Sequence, residues 1–317
     1  MRKLIKILLL VIMFLLFILF LFPYFLPLSE TTADTKFPFK ESHYINVNNV
    51  ELHYREWKPD SVKGNIMLIH GFSGSTFSWR KNTDTLVKCG YRVVAVDLPP
   101  FGYSSRQKGI NHSSSYNAAL LWKLADTLGG KNWILVGHSM GASVAGAMAA
   151  MRPSNTSKLV LVDGAFGGTT KQKRASFSGW IISSGPIKRL AEFVANKKFF
   201  TYKKIKELLE SAYSGPADSL DVVGYLAPFK IKKTASGIME MGRAYEVESL
   251  SLNALTMPTI AIWGKNDKWI PLKSGEQFIK KKTDAELFVI DGAGHCPMET
   301  HSSEFNKTLI RFLNNNR

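Results

Sequence analysis

Gly137-His138-Ser139-Met140-Gly141 spells G-x-S-x-G between two stretches of different character. Trp133-Ile134-Leu135-Val136, just before it, is a short continuous apolar run, the pattern of a buried strand. Ala142 to Met151, just after it, is rich in Ala and Met, which favour helix. A serine at so sharp a strand-to-helix turn has a strained backbone and an exposed hydroxyl. A Cβ at either flanking glycine would crowd the turn. Such a hydroxyl is placed to attack a carbonyl carbon.

A serine nucleophile needs a base to take its proton and a carboxylate to orient that base. On a strand–turn–helix scaffold their order along the chain is Ser, then Asp or Glu, then His. Downstream, Thr259-Ile260-Ala261-Ile262-Trp263 reads as a strand, and Gly264-Lys265-Asn266-Asp267 puts a carboxylate just past its end. Glu286-Leu287-Phe288-Val289-Ile290 reads as the next strand, and Asp291-Gly292-Ala293-Gly294-His295 puts a histidine in the loop beyond it. The candidate catalytic residues are therefore Ser139, Asp267 and His295. Asp163, past the run Leu159-Val160-Leu161-Val162, is the alternative acid.

The ordered set resembles the α/β-hydrolase superfamily in its lid-bearing serine hydrolase branch, over roughly residues 43–314. Four motifs carry the resemblance. His70-Gly71-Phe72, after Asn65-Ile66-Met67-Leu68-Ile69, resembles the oxyanion-hole loop. Asp97-Leu98-Pro99-Pro100-Phe101-Gly102-Tyr103-Ser104 resembles the loop after the fourth strand, with Pro100 where many relatives have Gly. Gly137 to Gly141 matches the nucleophile elbow. Trp263-Gly264 through Asp267, with Gly294-His295, matches the acid and base loops. The resemblance implies backbone N–H groups of Phe72 and Met140 as the oxyanion hole, and a helical lid at about 167–255 inserted after the sixth strand. It implies His70 as a scaffold of the oxyanion loop. Asp97 reads as an organiser of its own loop, and His138 as structural.

The segmentation agrees. His43-Tyr44-Ile45-Asn46-Val47 and Val50-Glu51-Leu52-His53-Tyr54 alternate around the turn Asn48-Asn49, which predicts a hairpin. Residues 65–69, 92–96, 133–136, 158–162, 259–263 and 286–290 read as strands. Helical stretches are Ser115 to Leu128, Ser139 to Met151, Ser274 to Lys282 and Glu299 to Leu313. The expected fold is α/β, an α/β-hydrolase fold with a mostly parallel eight-stranded sheet and helices on both faces. Ligand sites of such sheets lie at the carboxyl ends of strands. His70, Asp97, Ser139, Asp163, Asp267 and His295 all fall there. Alternation lapses from about Gly167 to Leu255, where 14 Lys or Arg face 8 Asp or Glu among scattered aromatics such as Trp180, Phe193, Phe199 and Tyr202.

With 317 residues and 45% hydrophobic content, one large α/β domain at 43–317 is expected. Ile7 to Phe22 is unbroken apolar sequence behind Arg2, Lys3 and Lys6. Twenty such residues reach about 30 Å, one hydrocarbon core. Residues 1–28 read as an N-terminal transmembrane helix, a signal-anchor with its N-terminus cytosolic and the catalytic domain extracytoplasmic. Residues 29–42 are a linker. Secretion after cleavage near Thr31-Thr32-Ala33 is the alternative. The net charge of +16 favours anionic surfaces. No nucleic-acid motif accompanies it, so no nucleic-acid partner is expected. Cys89 and Cys296 make no disulfide framework. No histidine has metal-ligand spacing, and the triad asks for no metal or organic cofactor.

The expected function is a serine esterase cleaving carboxylic esters, lipid acyl esters among them, through an acyl-enzyme, with a small-molecule or lipid ester as substrate. A carbon–carbon bond hydrolase or cofactor-free perhydrolase on the same triad is the alternative. Phe72-Ser73-Gly74-Ser75 stands against it, in place of the Gly-Pro-Gly type loop of relatives that cleave vinylogous diketones. A non-catalytic hydrolase-fold binding module is the remaining alternative.

Overall fold

The computed structural model describes residues 2–26, 38–164, 185–244, 248 and 250–315. The expected cleavage site at Thr31-Thr32-Ala33, most of the linker and Trp180-Ile181-Ile182 lie outside the described residues.

Eight strands form one sheet in the order β1-β2-β4-β3-β5-β6-β7-β8. They are β1 (Ser42–Val47), β2 (Val50–Trp57), β3 (Gly64–Ile69), β4 (Tyr91–Val96), β5 (Trp133–His138), β6 (Thr156–Val162), β7 (Thr259–Gly264) and β8 (Glu286–Ile290). β1 and β2 form the antiparallel hairpin, turning through Asn48 and Asn49, both at positive φ. β2 meets β4 antiparallel, and the pairings from β4 through β8 are parallel.

The helices are α1 (Arg2–Phe20), α2 (Thr83–Lys88), α3 (Ser114–Leu128), α4 (Met140–Met151), α5 (Gly185–Val194), α6 (Tyr202–Tyr213), α7 (Ser219–Phe229), α8 (Thr234–Ala244), α9 (Leu272–Lys281), α10 (Pro297–Thr300) and α11 (Ser302–Asn314). Alternate residues of the central strands serve opposite faces, as the two-residue pleat requires. Met67, Ile69, Leu135, Leu159 and Leu161 pack with Leu121, Ala145 and Phe278, under α3, α4 and α9. Ile66, Leu68, Val136, Val160 and Val162 pack with Leu86, Phe305 and Leu309, under α2 and α11. Both faces of the parallel strands are covered, which explains their continuous apolar runs.

The expected helix Glu299–Leu313 is two. Pro297 opens the single turn α10, and His301 (φ −123°, ψ 43°) leaves helical geometry before α11 starts. Between β6 and β7 the described residues include α5 to α8. α1 has 19 residues and no buried side chain.

Candidate active site

The elbow has the geometry that its glycines predict. Ser139 sits at φ 51° and ψ −117°, a conformation that costs a β-substituted residue about 1–3 kcal/mol. Its N–H donates to the Val162 carbonyl at 2.9 Å, and its carbonyl accepts from Ala142 N–H at 3.0 Å. A Cβ on Gly137 would lie 2.2 Å from the Gly141 carbonyl oxygen. One on Gly141 would lie 2.4 Å from the carbonyl oxygens of Ile69 and His70. The chain crosses itself there at backbone contact, and only glycine fits.

Three residues far apart in sequence meet at this turn. His295 Nε2 lies 3.0 Å from Ser139 Oγ. Its Nδ1 lies 2.7 Å from Asp267 Oδ2. The other carboxylate oxygen, Oδ1, accepts from Trp269 N–H at 2.7 Å and Ile270 N–H at 3.0 Å. Burial pushes the Asp267 carboxyl up, but the His295 imidazole and the Ile270 N–H outweigh it and hold it below the usual range. An ionised Asp267 fixes the Nδ1–H tautomer and leaves Nε2 free to accept from the serine hydroxyl.

The histidine is held from three sides. Its N–H donates to the Ala212 carbonyl of α6 at 2.6 Å. His138 Nε2 donates to its carbonyl at 2.7 Å. The Trp269 ring tilts over the imidazole at 5.1 Å, with its indole N–H on Ser211 Oγ at 3.0 Å. Burial and the neighbouring His295 depress the His138 imidazole to about 3, so His138 stays neutral and serves as a strut.

Of the expected oxyanion donors, Met140 directly follows the serine in the chain and Phe72 directly follows Gly71. Among the described residues neither N–H donates to a protein acceptor. A Cβ on Gly71 would meet Ser139 Cβ at 2.9 Å, so this loop runs directly beside the hydroxyl-bearing residue. His70 shapes the loop. Its Nε2 accepts from Leu98 N–H at 2.9 Å, which leaves Nδ1–H to donate to the Gly71 carbonyl at 2.7 Å. Asp97 organises the next loop, accepting from Thr76 N–H at 2.6 Å and Tyr103 N–H at 2.7 Å.

Asp163, the alternative acid, is fully buried behind Asp267. Its Oδ1 accepts from Gly264 N–H at 2.9 Å. Its Oδ2 receives no N–H and faces the Asp267 carboxylate instead. Burial, then the charge of Asp267, drives the Asp163 carboxyl well above the carboxylate range. Asp267, not Asp163, holds the histidine.

Three features escape sequence reading. Ser42, His53 and Asp97 repeat the connectivity of the site, with His53 Nε2 2.9 Å from Ser42 Oγ and His53 Nδ1 2.7 Å from Asp97 Oδ2. All three are buried, and Ser42 Oγ also accepts from Phe39 N–H. This relay ties the hairpin to the Asp97 loop. The second feature is a buried polar cluster between the core and α6–α7. Arg80 pairs with Glu299 and Asp221, and Glu299 accepts from Tyr213 Oη at 2.9 Å and Tyr225 Oη at 2.5 Å. The third is Arg106, which lines a small cavity with Ser73, Gly74, Phe101, Phe229 and Thr234.

The chain belongs to the α/β-hydrolase fold family, whose model matches residues 64–302. Among curated relatives, the 2-hydroxy-6-oxononadienedioate/2-hydroxy-6-oxononatrienedioate hydrolase of Paraburkholderia phymatum is 28% identical over 288 residues, covering 86% of this chain and 95% of that protein. The protein of the same name from Pseudomonas sp. is 29% identical over 286 residues, covering 86% and 96%. Among solved structures, a membrane phospholipase A is 22% identical with a TM-score of 0.68, covering 99% of this chain and 98% of that one. That last likeness is one of fold. The relatives' names overturn the expectation of a carboxylic ester hydrolase and favour the carbon–carbon alternative. The Phe72-Ser73-Gly74-Ser75 loop, expected to stand against that alternative, does not outweigh the relatives' names.

Proposed function

We propose that this chain hydrolyses a carbon–carbon bond in a vinylogous diketone acid, with Ser139 as nucleophile, His295 as proton carrier and Asp267 as its orienting carboxylate. The carrying observation is the 3.0 Å approach of His295 Nε2 to Ser139 Oγ in a chain related over 86% of its length to hydrolases of 2-hydroxy-6-oxo acids. Such a substrate solves the main difficulty of the reaction, which is where the electron pair of the broken bond goes. With the 2-hydroxyl as its 2-oxo tautomer and carbon 5 protonated, Ser139 Oγ adds to carbon 6 and its proton passes to His295. The bond between carbons 5 and 6 then breaks. Its electron pair runs through the alkene to the 2-oxygen, which takes the proton from His295. Water, deprotonated by the same imidazole, releases the acyl group from Ser139. One water is consumed and two carboxylic acids leave.

Phe72 and Met140 N–H groups stabilise the oxyanion on carbon 6, each worth about 2.7–4 kcal/mol of barrier. The basic balance of the chain suits a dianionic substrate. The insertion between β6 and β7 acts as a lid that shapes the pocket. α1 acts as a single-pass anchor, Arg2, Lys3 and Lys6 staying cytosolic. Incubation of the protein with 2-hydroxy-6-oxononadienedioate tests the reading. Loss of the conjugated chromophore with stoichiometric appearance of two acids supports it, and an unchanged substrate refutes it.

A further inference from the structure

We propose that α5 and the turn after it form a surface seated on an anionic phospholipid leaflet, with Arg189 clasping that surface to the end of the membrane anchor. The proposal rests on reading α1 as a membrane span. α1 continues into a 3-10 turn, Phe22–Phe25. There Arg189 of α5 donates from Nε to the Pro23 carbonyl at 2.9 Å, and from Nη2 to the carbonyls of Tyr24 and Leu26 at 3.3 Å each. Its guanidinium lies 5.7 Å from the Tyr24 ring centroid. The carbonyl end of a helix is left without intrahelical donors and carries partial negative charge. A guanidinium placed there satisfies both where the chain leaves the apolar phase. α5 packs against α1 itself as well as the turn, so a bilayer around α1 brings α5 to its surface.

The faces of α5 divide cleanly. Gly185 and Arg189 meet the turn, a Cβ on Gly185 lying 2.7 Å from Tyr24 Oη. Lys188 pairs with Glu240, and Glu192 accepts from Ser236 Oγ at 2.6 Å, so this face is held by α8. Leu190 and Val194 belong to neither and stay 40% and 36% exposed. The π-helical turn Ala195–Phe199 follows, and Phe199 and Tyr202 are 59% and 44% exposed. Lys197 and Lys198 lie between Val194 and Phe199, and Lys203 follows Tyr202; none of the three forms an ion pair among the described residues. Exposed aliphatic and aromatic groups interleaved with lysines, beside a membrane span, fit the headgroup boundary of a leaflet. The rings and stems enter the apolar side and the ammonium groups meet lipid phosphates. The lysine run selects an anionic leaflet over a zwitterionic one. The surface also sits one helix from the site's loops. α8 rests on Pro100 through Gly237 and accepts Arg106 Nε on Thr234 Oγ1 at 2.7 Å.

The test uses the full chain in nanodiscs of phosphatidylcholine with or without phosphatidylglycerol. A polarity-sensitive fluorophore is attached at Val194→Cys or Phe199→Cys in a Cys89→Ser background, and a lipid-borne quencher reports depth. Val62→Cys, at the opposite end of the sheet, is the exposed control, and Phe14→Cys reports on α1. Quenching at 14, 194 and 199 but not 62, stronger with the anionic lipid and reduced several-fold by Lys197→Glu with Lys198→Glu, is expected. Arg189→Ala is expected to lower quenching at 194 and leave that at 14. Quenching at 14 without quenching at 194 and 199 overturns the proposal and spares the span. No quenching at 14 overturns both.

Discussion

Asp163 lies directly behind Asp267, and one carboxylate oxygen of each and one ring nitrogen of His295 lie within 4.8 Å of one another. Two buried carboxylates at that distance cannot both ionise cheaply. Their surroundings separate them: Asp267 takes the imidazole and two backbone N–H groups, while Asp163 takes one N–H and is pushed toward its protonated form.

A stability prediction follows from the raised carboxyl of Asp163. A group whose folded pKa is raised stabilises the fold fully below its unfolded pKa, and that contribution is lost as pH rises toward the folded value. Asn at 163 titrates nothing and keeps a donor toward Asp267. The unfolding midpoint of Asp163→Asn is therefore expected to gain on the wild type from about pH 4 to pH 7. A difference that is flat with pH would mean that Asp163 is ionised in the folded protein.

The same pair predicts opposite kinetic outcomes. Asp267→Asn removes the acceptor that fixes the His295 tautomer, and kcat is expected to fall about 10⁴-fold. Asp163→Asn is expected to retain most of kcat. Rates measured side by side check the assignment, and equal losses would contradict it.

Ser42 and Ser139 both stand at the end of a Ser–His–Asp relay, yet only one is built to react. Ser42 is 4% exposed and lies on a regular strand, whereas Ser139 is partly exposed on a strained turn. A fluorophosphonate is expected to label Ser139 alone, as read by peptide mass spectrometry. Labelling of Ser42, or of Ser139→Ala, would break the argument.

Glu299 anchors α6 and α7 to the core through Arg80, Tyr213 and Tyr225. Glu299→Ala leaves the Arg80 guanidinium with Asp221 as its remaining carboxylate, and leaves Tyr213 with Asp221 Oδ2 at 3.3 Å and Tyr225 with Ser78 Oγ at 2.8 Å in place of their shorter bonds to Glu299. A loss of about 3–5 kcal/mol is expected, measured by denaturant unfolding, with Glu299→Gln intermediate. A loss below about 1 kcal/mol would mean that water replaces the carboxylate there.

Much of the fold is legible in the sequence because its signals are local. Val136 to Met151 carries strand, elbow and helix within sixteen residues, and the parallel strands declare themselves by apolar runs that two covered faces demand. The order Ser139, Asp267, His295 is legible because each lies one short loop past such a run. What depends on register is not. Ser42 meets His53 only because β1 and β2 pair with Tyr44 opposite His53, and Asp97 joins them from the next strand. The upward push on the Asp163 carboxyl depends on which carboxyl wins the backbone donors, a matter of ångströms that no motif encodes. Arg189 reaches a turn more than 160 positions away, and its basic segment reads in isolation as an ordinary solvated helix. The substrate is not legible either: elbow, acid and base are common to ester and carbon–carbon hydrolysis, and the relatives' names favour the second.

The measurement closest to the central claim compares wild type and Ser139→Ala on 2-hydroxy-6-oxononadienedioate, following both acid products. The wild type is expected to release them in equal amounts, and the variant to fold normally while kcat falls about 10⁴-fold or more. A wild type inert toward this compound, or a variant that cleaves it at the wild-type rate, would contradict the account.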